Sequence, residues 1–418
     1  MEQEQLEIEE FNINDNFILK KRNDKKITVV NQNGVREVLD IGASYLLDLV
    51  NERKYEKIKQ LNKSGLAEIE KLINKGILIR DKTDKILDLT PGWTLEEVFF
   101  ELSKACNLKC KHCYIPENIK KWELTFKDWI KLTDDCAALG VYMIKLTGGE
   151  PMINSYFFDL LQYIKSKKIK VRLYTNGSYL DKENINKLKL SGVDEIQISL
   201  DGAIAETHDN FRNTKGNFNK IIAALPILEK NDLAVTLSFT VSSYNIAELD
   251  NFIQLVRNYK NIKVVVSPYI NYHQTYQNKD DFLNVKDEDV MKIKRCFHEN
   301  QSIWSDKTRY YLSYSNKYIG FCGMGVYSLY IDSKGKVMLC PLLNQEENLV
   351  GDIREGSLKN IWEQSPLLVE YRNRTIADIS GCNTCSNSHI CRGGCRARAF
   401  FKHNNLLTKD PVSCSMYL

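Results

Sequence analysis

The stretch CNLKCKHCY, residues 106–114, sets Cys106, Cys110 and Cys113 inside eight positions, directly after the apolar run EVFFELS at 97–103. Three readings compete for such a triplet: a disulfide knot, a zinc site short of one ligand, or a site that needs three thiolates and no more. The chain opens with MEQEQLEIEE, which is acidic and lacks the basic-then-apolar layout of a signal peptide. No apolar run approaches the roughly 20 residues of a membrane helix. A cytoplasmic location without membrane association is therefore expected. Disulfides are rare in that compartment, so clustered cysteines read as metal ligands. Structural zinc takes four ligands, commonly as two pairs. Three thiolates suit a cubane [4Fe–4S] cluster held through three of its irons.

The rest of the chain supplies the setting. Its 418 residues exceed one ordinary core, and 43% hydrophobic with 27% charged residues describes a folded globular protein. A net charge of +4, spread over scattered lysines, leaves no nucleic-acid footprint. Three regions are expected. Residues 1–92 hold no cysteine and read as three strands (NFILKK, KITVVN, VREVLDI) followed by three helices, a winged-helix-like module. Residues 93–310 alternate short apolar runs with amphipathic helices. The runs are EVFFELS, YMIKLTG, KVRLYTNG, EIQISLDG, VTLSFTVS and IKVVVSPY. Six such units predict a parallel sheet of the α/β class, an incomplete (β/α)6 barrel with ligands beyond the strand C-termini. Residues 311–418 carry seven of the 12 cysteines and break the alternation. A tail of that kind is expected to lean on metal sites in place of a large core. Cys136 and Cys296 stand alone in helical stretches and read as core residues.

On Cys106, Cys110 and Cys113 the sequence resembles the radical S-adenosylmethionine (SAM) superfamily, whose Cys-x3-Cys-x2-Cys loop follows the first barrel strand. His112 stands where that family usually has an aromatic, and Tyr114 follows the last cysteine. The resemblance implies a cluster whose open iron chelates SAM, and a 5′-deoxyadenosyl radical that abstracts hydrogen. It also implies SAM contacts at LTGGEP, residues 146–151, through Gly148, Gly149 and Glu150, the last receiving the SAM ammonium. Ser199 and Asp201 in SLDG resemble ribose-contacting positions. Arg212 is the expected partner of the SAM carboxylate, with Lys215 and Lys220 as alternatives.

The tail reads Cys322, 12 residues, Gly335, four residues, Cys340, then Cys382-x2-Cys385-x5-Cys391-x3-Cys395 and Cys414. This looks like the SPASM extension of radical SAM enzymes. The resemblance implies two auxiliary clusters, making three [4Fe–4S] clusters in all. Cys382, Cys385, Cys391 and Cys414 would hold one, and Cys322, Cys340 and Cys395 the other, with its fourth position open.

A DNA-reading role for the first module is disfavoured, because its third helix GLAEIEKLINKG carries no arginine. The module resembles the peptide-recognition element of maturases of ribosomally made peptides. There a leader peptide adds as a strand beside the third strand, here Val35, Arg36, Glu37, Val38 and Leu39, with the helix Leu66 to Lys75 as the other wall. The expected enzyme is a radical SAM/SPASM maturase that cross-links a precursor peptide (leader plus core), by a thioether from a cysteine sulfur to a carbon. Its electrons would come from a donor such as flavodoxin or ferredoxin. Carbon–carbon cross-linking, epimerisation, formylglycine formation of the sulfatase-maturase type, and a non-enzymatic Fe–S electron carrier or redox regulator are the rivals.

Overall fold

The computed structural model describes residues 11–14, 17–21, 26–31, 36–80, 93–115, 124–271, 283–300, 302 and 322–417. Two compact units result, residues 1–94 and 95–418.

The first unit contains β1 (Phe11–Ile13), β2 (Phe17–Lys21), β3 (Ile27–Asn31), β4 (Arg36–Val38), α1 (Ile41–Asn51), α2 (Tyr55–Lys59), α3 (Lys63–Asn74) and β5 (Leu78–Arg80). The third strand stops at Val38, short of the expected Ile41. Asp40 instead caps α1, its carboxylate accepting from the Ala43 amide at 2.8 Å. The third helix also ends earlier than its pattern suggests. Gly76 takes φ +69° just past Asn74, which halts the helix and turns the chain through Ile77 into β5. β5 pairs antiparallel with β1, Phe11 opposite Arg80. Among the described residues the unit therefore has five strands in two sheets, β2-β3-β4 and β1-β5, where the sequence pattern predicts three strands. Leu19, Ile27, Val29, Leu47, Ile69 and Leu72 form its core.

The second unit is built on six parallel strands in sequential order: β6 (Glu97–Glu101), β7 (Met143–Thr147), β8 (Lys170–Thr175), β9 (Glu195–Ser199), β10 (Ala234–Val241) and β11 (Ile262–Pro268). Between and after them run α4 (Phe126–Ala138), α5 (Phe157–Ser166), α6 (Lys182–Leu190), α7 (Ala205–Arg212), α8 (Asn217–Lys230), α9 (Leu249–Arg257) and α10 (Asp287–Glu299). α4 shows how the local code works. Thr125 and Asp128 close a capping box, and Trp129, Leu132, Thr133 and Cys136 bury one face. Cys136 and Cys296 lie inside α4 and α10 at 0% and 1% exposure.

The sheet does not end at β6. β12 (Ser328–Ile331) adds parallel to it, Ser328 opposite Glu97, and β13 (Lys336–Met338) and β14 (Leu349–Asp352) continue antiparallel. All four residues of β12 are buried. An exposed apolar edge on β6 would invite foreign pairing, and the tail covers it. The cysteine-rich tail is thus anchored by a nine-stranded sheet as well as by whatever its cysteines hold. Among the described residues no helix is long and apolar enough to cross a membrane.

Candidate active site

The cysteine triplet lies on the loop that leaves the C-terminal end of β6, and the glycine pair fixes where that loop runs. The Gly149 amide donates to the Ser103 carbonyl at 2.8 Å and the Glu150 amide to the Ala105 carbonyl at 2.9 Å. A Cβ on Gly148, at φ +148°, would lie 2.4 Å from the Ser103 oxygen, and one on Gly149 2.2 Å from that of Ala105. Only glycine permits this backbone-on-backbone approach. The close partner of Gly148 and Gly149 is thus the base of the cysteine loop itself. Cys106, Cys110 and Cys113 are free thiols, the first exposed and the others half-buried. Burial pushes the Cys113 thiol up to about 11, with Cys110 and Cys106 raising it further.

A chain of hydrogen bonds runs beneath the loop and reaches the first two cysteines of the triplet. Asn176 donates from Nδ2 to Asn107 Oδ1 at 2.9 Å and toward Cys106 Sγ at 3.7 Å. Its carbonyl accepts from Asn217, whose Nδ2 also lies 3.3 Å from His208 Nε2. His208 Nδ1 accepts from the Asp201 amide at 3.1 Å, and burial drives the pKa of this imidazole down to about 3. Asp201 takes Arg212 Nε and Nη2, each at 2.6 Å, and Arg212 Nη1 points to Cys110 Sγ at 3.6 Å.

These contacts tie two of the expected SAM-contacting residues to the loop. Asp201 is fully buried and also accepts from the Thr240 amide at 2.7 Å. Arg212, 9% exposed, clamps Asp201 through Nε and Nη2 and reaches the cysteine loop through Nη1. Ser199 is half-buried at the end of β9. His112 stacks on Phe211 at 4.3 Å, its Nε2 4.0 Å from Asp201, and burial holds its pKa well below the ordinary value. Glu150 is 1% exposed and accepts from the Asn176 amide at 2.7 Å, the Thr175 hydroxyl at 2.9 Å and the Met152 amide at 3.2 Å. Burial nevertheless raises its pKa to about 7.

Tyr114 leads from this loop toward the tail. Its hydroxyl lies 3.2 Å from that of Tyr330 on β12, which donates to the buried Glu101 at 2.7 Å. Among the charges that raise the Tyr114 pKa, after burial and Glu101, are those of Cys113 and Cys340. One side chain therefore lies within electrostatic reach of both Cys113 and Cys340.

The seven tail cysteines gather in two groups. Cys322, Cys340 and Cys395 lie within one another's electrostatic reach: burial pushes Cys322 up to about 11, aided by Cys395, and Cys340 higher, aided by both. Cys382, Cys385, Cys391 and Cys414 form the other, with Cys391 raised to about 12 by burial and then by Cys414. Asp410 buckles the groups together. It accepts from the Cys395 amide at 2.9 Å, from Ser413 at 2.6 Å and from Arg398 at 2.9 Å. Arg396, with no exposed surface, donates to the Leu406 and Thr408 carbonyls, and its charge bears on Cys322 of one group and Cys382 and Cys414 of the other. Among the described residues no three His, Cys, Asp or Glu side chains close around a single metal ion. Free thiols in groups of three and four, half-buried except for the buried Cys382 and Cys391, beside a buried cation, suit anionic iron–sulfur clusters, whose ligands stand around a cubane.

In the first unit, Val35 lies outside the described residues. Arg36, Glu37 and Val38 form β4, an edge of the β2-β3-β4 sheet, and Leu39 follows it, buried, its amide donating to Ile27 at 3.0 Å. Glu37 pairs with Lys75 just past α3, so helix and edge strand flank one another.

Cysteine loop, glycine-held strand ends and a second cysteine set on the same sheet define an iron–sulfur enzyme built on a partial parallel barrel. The radical SAM superfamily model matches residues 100–256, and that of the SPASM iron–sulfur cluster-binding domain residues 322–386. The mycofactocin maturase MftC of Mycobacterium tuberculosis is 30% identical over 329 residues, 75% of this chain and 81% of that protein. The AdoMet-dependent heme synthase of Methanosarcina barkeri is 28% identical over 340 residues, 75% of this chain and 95% of that protein. In fold, the chain is similar to Streptococcus suis SuiB, in a structure bound to precursor peptide SuiA. The TM-score is 0.68 at 17% identity, covering 97% of this chain and 99% of that one. The chain belongs to the radical SAM superfamily, as a radical SAM/SPASM maturase.

Proposed function

We propose that this enzyme cross-links a ribosomally made precursor peptide, joining a cysteine sulfur to an unreactive carbon as a thioether. Cys106, Cys110 and Cys113 would hold the radical cluster, with Cys322, Cys340 and Cys395 and the Cys382 group holding two auxiliary clusters, three [4Fe–4S] clusters in all. When bound, the radical cluster and SAM supply a 5′-deoxyadenosyl radical that takes a hydrogen atom from the peptide. The protein's own part is placement. Gly148 and Gly149 seat the cysteine loop, Arg212 and Asn176 hold its sulfurs, and Glu150 offers a carboxylate at the end of β7 for the SAM ammonium. Electrons would arrive from a flavodoxin- or ferredoxin-like donor.

The observation that carries the thioether is the tail group of three thiols, reached from the radical loop by Tyr114. Three cysteines leave one corner of a cubane without a cysteine ligand, the room that a substrate thiol needs. Residues 1–92 would bind the leader by strand addition at β4, residues 93–310 form the barrel, and residues 311–418 the auxiliary domain. SuiB, bound in its structure to a precursor peptide, and MftC, a maturase, support a peptide substrate. Epimerisation needs a hydrogen donor outside the clusters, and the two remaining cysteines are buried within helices.

The test is to read the open reading frame beside the gene and, where it encodes a short cysteine-bearing peptide, to run anaerobic turnover of that peptide with SAM and dithionite. A thioether predicts 5′-deoxyadenosine, a peptide lighter by a hydrogen pair, and a cysteine that no longer alkylates. The same mass loss with a reactive thiol indicates a carbon–carbon bond. An unmodified peptide, with leader and core both present, overturns the reading.

A further inference from the structure

Tyr371, on the helix Pro366–Asn373, is 5% exposed, and its hydroxyl has no hydrogen-bond partner among the described residues. Leaving a buried hydroxyl unpaired costs about 1–3 kcal/mol, and native structures rarely do so. The surroundings show what it faces. A Cβ placed on Gly325 would lie 3.1 Å from Tyr371 Cδ1 and 2.7 Å from Leu339 Cδ2. Gly325 stands three residues from Cys322, and Leu339 immediately precedes Cys340, so the ring sits where these two cysteine segments meet. Its neighbour Arg372 locks the helix to the same turn, donating from Nε to the Gly325 carbonyl and from Nη1 to the Trp362 carbonyl, both at 2.7 Å. After burial, the charges of Cys322, Cys395 and Cys340 all raise the phenol's pKa. The hydroxyl is thus an unpartnered buried donor beside these two cysteine segments.

We propose that the Tyr371 hydroxyl donates a hydrogen bond to a sulfur of the cluster held by Cys322, Cys340 and Cys395, and thereby sets that cluster's reduction potential. The inference rests on the auxiliary-cluster assignment made above. Reduction adds negative charge to the cluster sulfurs, and a donor aimed at them stabilises the reduced form. A neutral phenol also leaves the cluster's open corner free for substrate. Tyr371 is thus a positioning residue for electron flow and not a ligand.

The experiment compares the reconstituted parent, Tyr371→Phe and Cys340→Ala by iron analysis and an EPR-monitored redox titration. Tyr371→Phe keeps the ring and its packing. Its iron content should match the parent, one auxiliary signal should move to lower potential, and the other should stay in place. Deuteron coupling to that cluster in D2O should fall in the same variant. Unchanged potentials and coupling, with a more stable cluster-free protein, would show an unsatisfied hydroxyl without a cluster role and overturn the proposal. So would a phenolate-to-iron absorption band that vanishes in Tyr371→Phe, since the residue would then be a ligand. Unchanged iron and spectra in Cys340→Ala would remove the cluster assignment itself, separating that failure from failure of the hydrogen bond.

Discussion

Glu150→Gln tests the one carboxylate that the structure holds close to its titration point at the mouth of the barrel. Burial sets the pKa of Glu150 at about 7. At pH 6 about one carboxyl in ten is ionised, and at pH 7.5 about three in four. An ammonium ligand prefers the anion, so SAM affinity of the parent should rise about eightfold across that interval. The sign follows from the raised pKa: charge is lost as the pH falls through 7, and binding weakens with it. Glutamine keeps the shape, and its amide oxygen can still accept from the Asn176 amide, now 2.7 Å from Glu150 Oε2. The amide nitrogen cannot accept from Met152, a loss of about 1 kcal/mol. A charge-assisted contact is worth about 1.5–3 kcal/mol, so the variant should bind SAM about ten- to a hundredfold more weakly at pH 7.5, with little change in iron content. Equilibrium dialysis of radiolabelled SAM against the reconstituted protein reads both effects. A variant affinity within twofold of the parent, or the same pH slope in both proteins, would show that Glu150 only buckles β7 to β8.

Replacing Cys106, Cys110 and Cys113 together by alanine should abolish 5′-deoxyadenosine formation and remove about four of about twelve irons. Loss of all iron would mean that the tail cysteines hold nothing by themselves. Glu37→Pro removes a backbone donor from an edge strand, so leader-peptide binding, read by fluorescence anisotropy, should collapse while SAM cleavage without peptide persists. Intact leader affinity in the folded variant excludes β4 as the docking edge. Gly149→Ala sets a methyl 2.2 Å from the Ala105 carbonyl oxygen. It should cost about 1–3 kcal/mol in overpacking and lower radical-cluster occupancy, whereas full occupancy would show that the loop base moves freely.

Much of this architecture can be read from local pattern because each barrel strand carries its own signal. β8 alternates buried and half-buried residues along its length, and α4 announces itself with Thr125 and Asp128. What stays hidden is pairing. β1 and β5 are three residues each, too short for alternation to show, and they exist because Gly76 turns the chain back. β12 reads as a fragment of an irregular tail, and nothing in SLYI declares that its partner is β6, more than 200 positions earlier. The edge that it covers is a property of the assembled sheet. The parallel pairing also explains why barrel and tail form one compact unit, although their sequence styles differ.

The site divides the same way. Cysteine spacing carries chemistry because sulfur must reach iron at set intervals, so the triplet and the tail motif were legible. The polar residues that hold the sulfurs in place carry no such spacing. Asn176 belongs to the third strand's end, Asn217 to the start of α8 and His208 to α7, and only folding lines them up between Cys106 and Cys110. The same frame shows how Asp201 and Arg212 are tied to each other. Asp201 and Arg212 look like ligand-binding residues in a linear reading because both are charged and follow a strand end. Once folded, each is the other's counter-charge, and a buried ion can be kept only when it is paired and hydrogen-bonded. Exposing either to bind SAM would leave its partner uncompensated under the cluster loop. The pair is thus the loop's foundation, and Glu150, equally buried and hydrogen-bonded but raised by burial to about 7, is a second carboxylate beneath the same loop.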